Sequence, residues 1–151
     1  MQVNDMKRVY PKEEYCMGCS LCLVACVVEH SQSKDILLAY KKENPRPGER
    51  NVVEEGLEGD CFSLQCRHCE MPDCVDACIN GALYIDEGVI KVNKEHCVAC
   101  WMCIMACPYG CIYKEKNATG WNSNKCDLCP DREIPSCVTI CPNRALVYEE
   151  R

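Results

Sequence analysis

The run Cys97-Val98-Ala99-Cys100-Trp101-Met102-Cys103-Ile104-Met105-Ala106-Cys107-Pro108 constrains this chain more than any other stretch. Its spacing is C-x2-C-x2-C-x3-C-P. Three thiolates this close together can wrap one cubane [4Fe–4S] core within a single loop. The fourth cysteine, one helical turn further on and followed by proline, reaches a neighbouring core. The stretch therefore predicts at least two clusters held side by side.

Related blocks occur three more times. Cys16, Cys19, Cys22 and Cys26 repeat the x2, x2, x3 spacing, with Val27 in place of the proline. The second block is Cys66-x2-Cys69-x4-Cys74-x3-Cys78, followed by Ile79, with Met71-Pro72-Asp73 supplying a turn in the widened gap. The fourth is Cys126-x2-Cys129-x7-Cys137-x3-Cys141-Pro142. The residues after the blocks also echo one another: Asn80-Gly81-Ala82-Leu83-Tyr84, Tyr109-Gly110-Cys111-Ile112-Tyr113 and Asn143-Arg144-Ala145-Leu146-Val147-Tyr148. Four blocks with similar exits read as internal duplication.

The blocks use all but Cys61 and Cys111 of the 18 cysteines. Soft thiolates suit zinc, copper(I) or iron–sulfur, so a structural zinc adaptor is the competing reading. A zinc site normally joins one C-x2–4-C pair to a distant second pair. Three crowded cysteines, a fourth at x3 and then proline favour iron–sulfur. Disulfides need an oxidising destination. The first eight residues carry charges without an apolar run, and no twin-arginine pair or membrane-length apolar run follows. No export signal or transmembrane segment is expected, and a cytoplasmic location is.

Composition agrees with a metal-filled interior. Hydrophobic residues make up 48% of the chain, but 18 of them are cysteine and only 1 is phenylalanine. The net charge of −6, without a basic stretch, argues against nucleic acid. Four oxidised clusters on 16 thiolates would lower it to about −14, so partners should offer positive patches.

The expected fold is α+β: duplicated bacterial ferredoxin-like modules with a β-hairpin insert and a cluster-filled core. One domain spans residues 1–151. It divides into an inner module at 62–115, an outer module formed by 1–35 with 116–151, and the insert at 36–61. A short extended segment surrounds Val9. Leu21, Val24, Ala25 and Val28 recur at helical spacing around Cys26. Ile36-Leu37-Leu38-Ala39-Tyr40 reads as a strand, Asn44-Pro45-Arg46-Pro47-Gly48 as a turn, and 51–54 and 60–65 as further strands. A hairpin turning at Glu87-Gly88 leads into the third block. Residues 114–124 read as a polar, exposed linker.

If the blocks pair as two ferredoxin-like halves, ligation is crossed. Cys66, Cys69 and Cys74 then share a cluster with Cys107, and Cys97, Cys100 and Cys103 share one with Cys78. By the same duplication, Cys16, Cys19 and Cys22 take Cys141, and Cys126, Cys129 and Cys137 take Cys26. Four [4Fe–4S] clusters and no [3Fe–4S] centre are expected, and the Cys97 stretch becomes an inner link of a wire. Cys61 and Cys111 read as small buried apolar residues. His30, His68 and His96 are candidates for tuning a potential by hydrogen bonding, His68 first because it lies inside Cys66-Arg67-His68-Cys69. Trp101 and Tyr109 read as shields against water. No G-x-S-x-G, Gly-rich phosphate loop or H-E-x-x-H is present, so the chain reads as non-catalytic. A redox sensor with a labile cluster would need an output element, and none is visible.

Over essentially its whole length the chain resembles the four-cluster electron-transfer subunits of the dimethyl sulfoxide reductase and formate dehydrogenase group, in block order and in the x4 gap of block two. Within that group, Cys16 to Ser31, Gln65-Cys66-Arg67-His68-Cys69-Glu70, Lys125-Cys126-Asp127-Leu128-Cys129 and the x7 gap are similar to the small iron–sulfur protein associated with carbon monoxide dehydrogenase. That resemblance implies a hetero-oligomeric shuttle. It would take low-potential electrons from an anaerobic carbon monoxide dehydrogenase to a hydrogenase or other reductase. Tungsten aldehyde oxidoreductases, formate dehydrogenases and hydrogenases use the same type of subunit.

Because metal binding supplies folding free energy in such a chain, the metal-free protein is expected to be largely unfolded. Anaerobic chelation should abolish most of its far-ultraviolet dichroism.

Overall fold

Residues 6–150 are described in a computed structural model. Residues 1–5 of the stretch read for an export signal lie outside them. Helix and strand alternate in short pieces. Every sheet is a two-stranded antiparallel ribbon. No helix among the described residues is long and apolar enough to cross a membrane.

The two ends of the chain close on each other. Strand β1 (Arg8–Pro11) pairs with β8 (Leu146–Glu149), in the register Val9 with Tyr148 and Pro11 with Leu146. Pro11 is tolerated because a ribbon edge needs no donor from it. Helix α1 (Leu21–His30) packs on α5 (Ser136–Ile140), so the first and fourth blocks meet across the chain. Val9, Cys22, Leu128, Cys137 and Leu146 form one buried core there.

A second core, of Cys74, Leu83, Ile90, Cys103 and Ile112, lies between the middle blocks. Helix α3 (Asp73–Asp76) packs on α4 (Met102–Ala106). The ribbon of β4 (Leu83–Asp86) and β5 (Val89–Val92) joins them. Its turn falls at Glu87 and Gly88 as expected. Both have positive φ, 49° and 81°, which matches the right-handed twist of the strands.

Two expectations are overturned. Residues 36–40 form no strand: they lie in helix α2 (Ile36–Lys41). Asp35 starts it, its carboxylate accepting from the backbone N–H groups of Leu37 (2.9 Å) and Leu38 (3.0 Å). A capped N-terminus satisfies donors that a strand would have left to a ladder partner. The hairpin of this region is instead β2 (Asn51–Glu55) with β3 (Cys61–Gln65).

Residues 114–124 are not an exposed linker either. They fall in β6 (Tyr113–Asn117) and β7 (Gly120–Asn124), a hairpin whose Glu115, Asn122, Ser123 and Asn124 are buried. Their polarity is met inside the protein. Glu115 accepts from the Gly48 N–H at 2.9 Å and from Lys94 Nζ. Asn122 donates to the Lys94 carbonyl at 2.9 Å. Replacing Glu115 by alanine should leave the half-buried Gly48 N–H without its acceptor and cost about 1 kcal/mol. A lowered thermal midpoint of the metallated protein would report it.

Candidate iron–sulfur sites

The loops acquire their shape from backbone that most residues avoid. The second residue after the first cysteine of every block has positive φ: Gly18 (70°), His68 (46°), Ala99 (55°) and Leu128 (61°). Ser20 and Trp101 repeat this two residues on, at 60° and 65°. Each left-handed residue turns the chain, so that successive thiols face one centre instead of alternating along a strand. A non-glycine residue held there costs energy that the surroundings must offset.

The exits recur as well. Gly81, Gly110 and Arg144 each lie three residues beyond a block's last cysteine and have φ of 63°, 64° and 53°. The next N–H then turns back onto sulfur: Ala82 to Cys78 Sγ and Ala145 to Cys141 Sγ, both at 3.2 Å. Cys111 N–H does the same for Cys107. Further N–H groups reach Cys66 (from His68, 3.4 Å), Cys97 (from Ser123, 3.4 Å) and Cys126 (from Leu128, 3.5 Å).

These turns gather the sixteen block cysteines into four groups. Cys16, Cys19, Cys22 and Cys141 line one depression of about 350 Å³. Cys78, Cys97, Cys100 and Cys103 line another of about 320 Å³, with Trp101 at its wall. Cys66, Cys69, Cys74 and Cys107 line a third, with Tyr109 and Cys111. Burial first, and then the charges of Cys126, Cys129, Cys26 and Cys22, disfavour ionisation of Cys137, so Cys26 of the first block is a neighbour of the fourth block's thiols. None of the 18 cysteines is in a disulfide.

The chemistry of these groups fits iron–sulfur cores. Burial pushes Cys74 up to about 11 and both Cys26 and Cys126 up to about 12. Protonated thiols crowded this way gain nothing from one another, whereas a cationic core removes their protons outright. Cys107 is the opposite case: hydrogen bonding from the Cys111 thiol, then from backbone N–H groups, brings it down to about 5. Buried donors also lack partners among the described residues, among them His68 Nε2, Tyr113 Oη, the amide nitrogens of Asn51 and Gln65 and the Nε of Arg8, Arg50 and Arg67. His68 is fully buried. Its Nδ1 accepts the Ile90 N–H at 3.0 Å, which puts the ring proton on Nε2. Burial, followed by the Lys125 and Arg8 charges, lowers it to about 3, so it is a neutral donor. Sulfide and thiolate sulfurs are acceptors suited to such groups.

Other candidates sort by position. Cys111 is buried, as expected, and adjoins Cys107. Cys61 is only half-buried, against the expectation of a buried filler, and its Sγ would lie 2.9 Å from a Cβ on Gly18. His30 Nε2 lies 3.0 Å from Asp127 Oδ1, and its Nδ1 lies 2.8 Å from the Cys26 carbonyl. Arg50 binds the second Asp127 oxygen at 2.6 Å. Burial opposes ionisation of Asp127, but the His30 hydrogen bond and the Arg50 charge hold its carboxyl well below the usual range. This ion-paired group ties α1 to the fourth block. His96 is exposed. The hydroxyls of Ser63, Ser123 and Ser136, near Cys22 (3.5 Å), Cys97 (3.6 Å) and Cys129 (3.7 Å), had no signal in the sequence.

Thiol-lined loops on short helices and ribbons define a ferredoxin-like iron–sulfur domain of mixed helix and strand content. The protein belongs to the 4Fe-4S dicluster domain family, whose model matches residues 57–151. It binds multiple [4Fe–4S] clusters. It is 36% identical over 150 residues to the electron transport protein HydN of Escherichia coli K12, covering 90% of this chain and 83% of that one. An "iron-sulfur protein" of Rhodospirillum rubrum is 32% identical over 152 residues, with coverage of 91% and 79%. The B subunit of the polysulfide reductase of Wolinella succinogenes is 32% identical over 142 residues, with coverage of 90% and 72%. In fold alone, the chain is similar to a solved component of the active-site complex BamBC of benzoyl coenzyme A reductase. The TM-score is 0.52 at 24% identity, over 96% of this chain and 77% of that one.

Gly18→Ala should strain the first loop by about 1–2 kcal/mol through its left-handed backbone, beyond the contact with Cys61. The thermal midpoint is expected to fall, and Cys61→Ala added to Gly18→Ala should recover part of the loss but not all.

Proposed function

We propose that this chain is a non-catalytic electron-transfer subunit holding four [4Fe–4S] clusters on the sixteen block cysteines. Ligation is crossed. The Cys66, Cys69 and Cys74 loop takes Cys107, and the Cys97, Cys100 and Cys103 loop takes Cys78. Likewise the Cys16, Cys19 and Cys22 loop takes Cys141, and the Cys126, Cys129 and Cys137 loop takes Cys26. The clusters supply one-electron redox chemistry. The protein's residues fix their spacing, exclude water and set local charge. An inner module at 62–115 and an outer one at 1–35 with 116–151 account for the two cores.

Neighbouring thiols give the order of the sets. Cys74 and Cys78 around α3, with Cys103 and Cys107 around α4, join the Cys97 set to the Cys66 set. The Cys66 charge acts on Cys126, which joins that set to the Cys126 set. Cys22 acts on Cys137, which leads on to the Cys16 set. The Cys97 set is thus an end of the line, although its Cys107 serves an inner cluster.

One observation carries the reading. Cys19 and Cys100 are the only exposed cysteines, and they belong to the two end sets. Each is flanked by exposed apolar side chains in equivalent positions, Met17 and Leu21 around Cys19 and Val98 and Met102 around Cys100. Electrons can enter at one such collar and leave at the other. The motif resemblance favours a carbon monoxide dehydrogenase as donor and a hydrogenase or other reductase as acceptor, within a cytoplasmic hetero-oligomer. The alternatives are service to a formate dehydrogenase, a hydrogenase or a tungsten aldehyde oxidoreductase.

Anaerobically purified protein is expected to contain about sixteen iron atoms with matching sulfide and to bleach on reduction. About four zinc ions and no iron would overturn the reading. Reduction by carbon monoxide with catalytic carbon monoxide dehydrogenase, faster than by formate with its dehydrogenase, would support the favoured donor. The reverse order would reject it.

A further inference from the structure

Lys125 is the largest fully buried side chain among the described residues, with 2% of its surface exposed. No carboxylate pairs with it among the described residues. Its Nζ donates to the Ile90 carbonyl and, at 2.8 Å, to the Cys126 carbonyl. The Ile90 N–H meanwhile donates to His68 Nδ1 at 3.0 Å. One buried residue of β5 therefore connects the loop of Cys66 and Cys69 to the ammonium beside Cys126. Those loops are the meeting point of the two middle sets.

An unpaired ammonium inside a protein is poorly solvated unless negative charge lies nearby. Two carbonyl dipoles occupy two of its three N–H bonds and supply no net charge. The thiolates on either side can. Burial pushes the Cys74 and Cys126 thiols up, and at both the Lys125 charge pulls the other way. At the two end sets, burial, hydrogen bonds and neighbouring thiols dominate at Cys22 and Cys103, and the carboxylates of Glu55 and Asp60 lie near Cys61 beside Cys16. In the middle sets Arg50 and Arg8 act beside Lys125, on Cys26 and Cys69.

We propose that Lys125 is a potential-setting residue shared by the two middle clusters, its buried positive charge making them easier to reduce than they would be beside a neutral side chain. The sign follows from Coulomb's law. Reduction adds negative charge to a cluster, and a nearby cation stabilises that form in proportion to its proximity and burial. Electrons entering at either end would then meet a step down towards the middle. The inference rests on the ligand sets proposed above.

The experiment is a redox titration of the anaerobic holoprotein followed by electron paramagnetic resonance, in wild type, Lys125→Met and Lys125→Arg. Iron and sulfide content is measured first. A wild type without iron overturns the ligand reading and this proposal with it, whereas potentials measured on fully loaded protein test this proposal alone. With full iron in all three proteins, Lys125→Met is expected to move two of four midpoint potentials lower and leave two in place, while Lys125→Arg keeps all four near wild type. Unmoved potentials in Lys125→Met, or an equal shift of all four, overturn the proposal. Should Lys125→Met fail to assemble, Lys125→Arg decides. Assembly with wild-type potentials supports the charge, and failure like that of the methionine variant makes Lys125 a packing residue only.

Discussion

Four residues along a helix bring side chains to the same face about 5–6 Å apart. This spacing underlies the whole arrangement. Cys22 and Cys26 lie on α1, and Cys74 and Cys78, Cys103 and Cys107, and Cys137 and Cys141 lie on or just past α3, α4 and α5. The first cysteine of each pair faces its own loop and the second faces the loop of another block. With each group drawing its fourth thiol from another block, as proposed, the packing of α1 on α5 and of α3 on α4 follows from the cysteine spacing. The apolar cores of five residues each, two of them cysteine, are too small to dictate it.

Such a frame requires unusual backbone. Ala99, Trp101, His68 and Leu128 are left-handed where glycine would be easier. Sulfur-facing N–H groups and the converging thiols hold them there. In the fourth exit Arg144 occupies the position that Gly81 and Gly110 fill elsewhere, with the same turn and the same 3.2 Å hydrogen bond to sulfur. Geometry is thus retained where residue identity is not.

What was legible in the sequence was local. The four cysteine blocks, the Glu87-Gly88 turn and the strand at Val9 depend on spacings of a few residues. Ile36 to Tyr40 shows the limit: a five-residue apolar run fits helix or strand equally, and only Asp35 as a cap distinguishes them. The β6–β7 hairpin failed for another reason. Asn122, Ser123 and Asn124 looked solvent-facing because their partners, Lys94, Cys97 and Gly48, are distant in sequence. Lys125 escaped in the same way, since no local pattern tells a buried lysine from an exposed one.

The pairing of β1 with β8 has a consequence for how the molecule is made. Under the proposed ligation, the Cys66 and Cys97 groups are complete once residue 107 has been synthesised. The Cys16 group, in contrast, needs Cys141, which follows it by roughly ten seconds of translation at ordinary rates. Three of its thiols stand ready all that time without their fourth, so this group can close only after residue 141 has been synthesised. Oxygen or a scavenging metal has its longest opportunity at Cys16, Cys19 and Cys22.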